Sequence, residues 1–192
     1  MKIKFVFGLT VLLIFAACGN DKKNGNDAPK PSKEELRGSI KQMEDSLKGL
    51  QANLSEIKQI PNLTRIELIN RLLAFYYNYP EDTFAAECLD KVHMTYSGMN
   101  VHEKAVAYAD TLLEKYPKYV NRAMILESQG SSYDIFMQPR DSAKVRYYYQ
   151  MLLNENPSME KDKRTGIKDR LKNNHLNFDQ YIEKKMEEIA KK

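Results

Sequence analysis

The chain has 192 residues, 42% of them hydrophobic, and carries 30 Lys and Arg against 26 Asp and Glu. That is enough for one modest domain with appendages. A net charge of +4 with no long basic run predicts no strong attraction to nucleic acid. Two cysteines and eight glycines exclude a disulfide framework and leave little material for phosphate-binding loops.

The chain begins with Lys2 and Lys4, followed by an apolar run from Phe5 to Ala17 broken only by Gly8 and Thr10. The run is too short for the ~20 residues of a transmembrane helix and suits a signal-peptide core, so residues 1–17 read as a signal peptide. It ends Phe15-Ala16-Ala17-Cys18-Gly19. This resembles the lipobox of bacterial lipoproteins, which normally has Leu where Phe15 stands. The resemblance implies cleavage before Cys18 and lipidation of that cysteine; a plain secretory cleavage or an uncleaved anchor are the alternatives. Two or three acyl chains, each contributing about 0.8 kcal/mol per buried CH₂, would make release from the membrane negligible. Removing residues 1–17 takes away two lysines and no acid, so the net charge falls from +4 to +2. With Cys18 acylated, Cys88 is the one remaining thiol, and its apolar surroundings suggest a small buried hydrophobe.

Residues 18–31 hold that cysteine and a stretch rich in Asn, Asp, Lys and Gly, which reads as a flexible tether with an r.m.s. span of roughly 20 Å. Helical patterning begins at Ser32, where Ser32 and Glu35 form a capping-box signature and Glu34 and Glu35 favour the helix dipole. Leu36, Ile40, Met43, Leu47, Leu50, Leu54 and Ile57 then recur at alternating spacings of four and three. The 32–60 segment is therefore an amphipathic helix. It either packs against its own domain, the favoured reading given Gly38 and Gly49, or forms an oligomerising coiled coil.

From Asn62 the chain repeats itself. Helical stretches close at Pro80, Pro117 and Pro157, which stand 37 and 40 residues apart. Aligned on proline, Lys104, Tyr108, Leu112 and Leu113 match Lys144, Tyr148, Leu152 and Leu153. Shorter helical stretches precede the last two, one with Phe84, Cys88, Leu89, Val92 and Tyr96, the other with Ala123, Leu126, Gly130 and Tyr133. Asn100 with Glu103 suggests a capping box for the helix before Pro117, and Asp141 or Ser142 an N-cap for the next. No stretch shows strand alternation.

Tyr96, Ala105 and Pro117 stand at the separations of the helix-A tyrosine, helix-B alanine and closing proline of tetratricopeptide (TPR) repeats, which this region resembles. Gly130 and Tyr133 fill matching places in the next unit, which closes at Pro157 but has Val145 for the alanine and about three extra residues around Met137-Gln138-Pro139-Arg140. His93 departs from the family, which has a small residue there to let helix B approach. The first unit keeps only its second helix, Leu63 to Asn78, with the 36–57 helix as its candidate partner. The expected fold is thus all-α, a short TPR-like α-solenoid over 62–157 with the amphipathic helix before it. Residues 158–192 supply capping helices through Ile167 and Leu171, then Phe178, Ile182, Met186 and Ile189.

The sequence carries no metalloprotease, P-loop, dinucleotide or nucleophile-elbow motif, and His93, His102 and His175 lack ligand spacing, so no enzyme, metal site or cofactor is expected beyond a covalent lipid on Cys18. The tyrosine triplets 76, 77, 79 and 147–149 lack a basic groove and read as packing. By resemblance, the groove of the repeats would present Glu87, Asp90 and Met94 from one unit and Glu127, Ser131 and Asp134 from the next. Such a face suits a basic or amphipathic peptide. The expectation is an outer-membrane, lipid-anchored adaptor on the periplasmic face, meeting an envelope protein or the subunits of an outer-membrane complex. It is loosely similar to the lipoprotein of the β-barrel assembly machine and to the Tol–Pal-associated TPR factor. A structural homo-oligomer through the 36–57 helix, or a peptidoglycan or small-ligand binder, is the alternative.

Overall fold

The computed structural model describes residues 29–52 and 60–191. Cys18, the signal segment, most of the tether, and Leu54 and Ile57 of the first apolar stripe lie outside the described residues. Among those described there are eight α-helices, one π-helical turn and no strand. In chain order the helices are α1 Lys33–Ala52, α2 Asn62–Asn78, α3 Thr83–Gly98, α4 His102–Lys115, α5 Arg122–Ser131, α6 Ser142–Glu155, α7 Lys161–Lys172 and α8 Phe178–Ala190. The π turn, Ser132–Phe136, continues α5. No described helix is long and apolar enough to cross a membrane.

Local chemistry sets most of the helix ends. Ser32 and Glu35 exchange the two hydrogen bonds of a capping box at the start of α1. Asp82 and Asp141 accept backbone N–H groups at the starts of α3 and α6. Three helices stop alike: Tyr79, Tyr116 and Asn156 leave helical geometry at φ −140°, −127° and −124°, because the proline after each disfavours the α region.

Asn100 does not cap α4 as its pairing with Glu103 suggested. It adopts φ 59° and ends α3: its N–H donates to Ser97 O and the Val101 N–H to Tyr96 O, both 3.0 Å. This is a left-handed C-terminal stop in which Asn substitutes for glycine. No side chain caps α4.

The helices form two layers. In one, Lys91 of α3 pairs with Glu44 of α1, His93 of α3 meets Ser128 of α5, and Lys163 of α7 pairs with Glu127 of α5. In the other, Tyr116 at the end of α4 donates to Pro80 O after α2, and Tyr148 of α6 donates to Asp110 of α4. Each helix from α1 to α7 also packs on its neighbours in sequence, so the chain alternates between layers.

The core runs between the layers. Leu36 and Ile40 of α1 are buried with Leu68, Ile69, Leu72 and Phe75 of α2, and Met43 and Leu47 pack against the same cluster. The first half of the 36–57 stripe is therefore used within the chain, with α1 as the partner of α2. Leu126, Val145, Tyr148, Leu152 and Ile167 form a second cluster between α5, α6 and α7. Each fully buried Leu or Phe contributes about 1.5–3 kcal/mol relative to exposure.

The C-terminal closure differs from expectation. Ile167 of α7 enters the core, whereas α8 buries no residue and leaves Ile182, Met186 and Ile189 exposed. Its attachment is polar: the Tyr181 hydroxyl and the Lys185 ammonium meet Asp169, and Lys184 donates to Asn173.

Candidate protein-binding surface

The internal repeat reappears in three dimensions. Tyr96 stacks on Tyr108 at 5.7 Å with the Lys104 ammonium 5.3 Å from the Tyr96 ring. One unit later Tyr133 stacks on Tyr148 at 5.6 Å with the Lys144 ammonium 5.7 Å from both rings. Most of the tyrosines thus join helices, while Tyr77 and Tyr147 are more than half exposed. Ala105 and Val145, at matching places in the later helices, are both buried.

Thirteen residues beyond each closing proline stand His93, Gly130 and Arg170. All three are buried. At Gly130 a Cβ would meet the Tyr149 ring at 2.6 Å, so only glycine fits. His93 stands where a small residue was expected and instead bridges helices. Its Nδ1 lies 3.0 Å from Ala105 O and its Nε2 3.0 Å from Ser128 Oγ. A carbonyl only accepts, so Nδ1 carries the hydrogen and Nε2 accepts from the Ser128 hydroxyl. Burial holds this imidazole below its ordinary pKa.

Of the six residues assigned to a groove, two are exposed, three half-buried and one buried. Glu87 and Met94 are exposed. Asp90 is half-buried and accepts from the Tyr119 hydroxyl at 2.8 Å; Glu127 pairs with Lys163 at 2.5 Å; Ser131 bonds the Tyr149 hydroxyl at 3.1 Å. Asp134 does not belong there. It is buried in the π turn between Arg140 and Arg170, at 2.7 and 2.6 Å. The groove positions of the family, which put Asp134 on the outer face, presuppose an unbroken α-helix and fail at a π turn holding an extra residue.

Met124 carries no motif of its own, yet it is 65% exposed, as Met94 is at 58%. The signal was positional: Met124 stands seven residues after Pro117, as Glu87 does after Pro80. Ala123, Met124 and Glu127 line a pocket of about 260 Å³.

A cleft of about 650 Å³ between α4 and α6 is lined by Asp110, Arg122, Asp141, Lys144 and Tyr147 among others. Its polar groups largely serve the fold: Arg122 binds Glu155, Asp141 caps α6, and Asp110 receives Tyr148 and Gln129. Cys88 is buried, and desolvation pushes its thiol up to about 12, far from a reactive thiolate. Among the described residues no group of His, Cys, Asp and Glu is placed to hold a metal ion.

Comparison with known proteins returned no matching family model, no matching curated protein and no matching solved structure.

Proposed function

We propose that the protein is a membrane-tethered adaptor whose TPR-like repeats bind a basic or amphipathic segment of an envelope partner along the outward side of α3 and α5. The observation that carries this reading is the pair of exposed methionines, each on one helix face with carboxylates: Met94 four residues from Asp90 and seven from Glu87 on α3, and Met124 three residues from Glu127 on α5. Exposed flexible thioethers adapt to apolar side chains, and the acids favour a cationic partner. The recurring Tyr–Tyr–Lys cluster and the closing prolines support the repeat assignment. The lipobox resemblance at Cys18 supports the tether, and Gly19 after it favours outer-membrane sorting by analogy. The rival, oligomerisation through the 36–57 helix, is weakened because Leu36, Ile40, Met43 and Leu47 already pack on the chain's own core.

The test is affinity capture of the full-length protein from detergent-solubilised envelopes, comparing wild type with Glu87→Lys and Met94→Lys. Both sites are exposed, so the variants should keep the wild-type melting temperature. The expected result is loss of a basic partner from both captures; an unchanged set of partners would sink the proposal. Labelled fatty acid should enter the wild type and not Cys18→Ala.

A further inference from the structure

Two apolar pockets occur at the same repeat positions on successive units. The first, about 410 Å³, is lined by Ala86, Tyr119 and Val120 together with Tyr116 and Pro117. The second, about 260 Å³, includes Ala123, Met124 and Met159. Ala86 and Ala123 each stand six residues after one proline, and Tyr119 and Met159 each two residues after the next. The pockets are therefore one site built twice, between the start of an outward helix and the loop that follows its partner.

With Asp90, which binds the Tyr119 hydroxyl of the first pocket, the two sites together carry four acids, Glu87, Asp90, Glu127 and Glu160, against Lys118 and Lys163. Glu87 belongs to the first pocket and Glu160 to the second, and among the described residues neither has a cationic side chain within ion-pair distance. Asp90 is tied to the first pocket through the Tyr119 hydroxyl and is likewise without a basic partner among the described residues. Glu127 is neutralised by Lys163. Lys118 is the opposing charge at the first rim.

Resting on the proposed function, we propose that these pockets seat two apolar side chains of one extended, lysine- or arginine-rich segment of a partner protein. The spacing follows from the fold. The contact from His93 to Ser128 makes α3 and α5 neighbours within one layer. Neighbouring packed helices stand about 8–10 Å apart. A polyproline-type extended segment rises about 3.1 Å per residue with three residues per turn, so side chains three residues apart share a face and stand roughly 9 Å apart, matching the two anchors. Two apolar anchors fill the pockets, and the intervening and flanking cations meet Glu87, Asp90 and Glu160. Val120 is 87% exposed at the mouth of the first pocket, so a change there alters the site without touching the core.

The test uses fluorescein-labelled peptides of lysine and serine carrying two leucines at graded separations, with one-leucine and leucine-free controls, titrated onto the full chain by anisotropy. The expected result is tightest binding at a separation of about three residues, with about a tenfold loss when either leucine is replaced by serine. Val120→Lys and Met124→Lys should each remove the gain from one leucine. Equal binding of two-leucine and one-leucine peptides overturns the inference, as does binding by no peptide of the set. If leucine-free basic peptides bind as well as the others and bind less to Glu87→Lys, the pockets are not used while the acidic face is. Loss of the captured partner on Glu87→Lys and Met94→Lys with no leucine dependence separates the same two cases in the envelope.

Discussion

Gly130 and His93 occupy the same place in successive units and meet opposite demands. The Tyr149 ring stands 2.6 Å from where a Cβ on Gly130 would sit. Gly130→Ala should therefore cost about 1–3 kcal/mol through overpacking, read as a lower urea midpoint. Gly166→Ala is the control: nothing lies within 4 Å there, and loss of a mid-helix glycine should stabilise by about 0.5–1 kcal/mol. Equal effects at the two sites would refute the close-approach account.

His93 is neutral in the fold and held there by burial, with Asp90 as the charged neighbour acting in the opposite sense. Its folded pKa lies below its unfolded value, near 6.5, so the unfolded chain takes the proton first as pH falls. The stability from a neutral His93 is complete above about pH 6.5 and declines as pH drops toward the folded value. Urea midpoints measured from pH 8 down to 5 should fall for the wild type. His93→Leu should be weaker at pH 8 by about 1–3 kcal/mol, having lost two buried hydrogen bonds, but should show a shallower decline. A parallel decline in both proteins would exclude His93 as its source.

At the level of elements, α7 and α8 carry unequal shares of the C-terminal end. Asp134, Arg140 and Arg170 form a buried ion cluster, and Arg170 also donates to Asn173 O and Leu176 O. Removing the central carboxylate leaves two guanidinium groups uncompensated, so Asp134→Ala should cost about 3–5 kcal/mol. By contrast, α8 contributes surface ion pairs and the Arg170–Tyr181 contact at 4.8 Å. A chain ending at Leu176 should lose about 1–2 kcal/mol and keep a single cooperative transition. If truncation proved the more damaging change, α8 would be part of the core after all. The amphipathic pattern Phe178, Ile182, Met186, Ile189 announced this helix but could not say whether its stripe is covered. The same holds in reverse for Asn100, whose side chain suits either a cap or a left-handed stop; the backbone at φ 59° selects the stop.

For the molecule as a whole, the helical content, the proline-closed period and the positions of most helices were legible in the sequence, because they follow from interactions within a few residues. Apolar side chains at three- and four-residue spacing, Ser32 with Glu35, and residues forced out of helical geometry before proline need no distant partner. What only the tertiary structure decided is which polar groups face inward. Asp134 and Arg170 are 36 residues apart and acquire their roles from each other. Likewise His93 is buried because Ala105 O and Ser128 Oγ, on two other helices, satisfy both ring nitrogens. A local period cannot register such pairings, since burying a charge or an imidazole is favourable only once its distant partner is in place. For the candidate surface the division is the same: the resemblance to tetratricopeptide repeats assigned Glu87, Asp90, Met94, Glu127, Ser131 and Asp134 to a groove, while packing buries Asp134 between two arginines and leaves Met124 exposed.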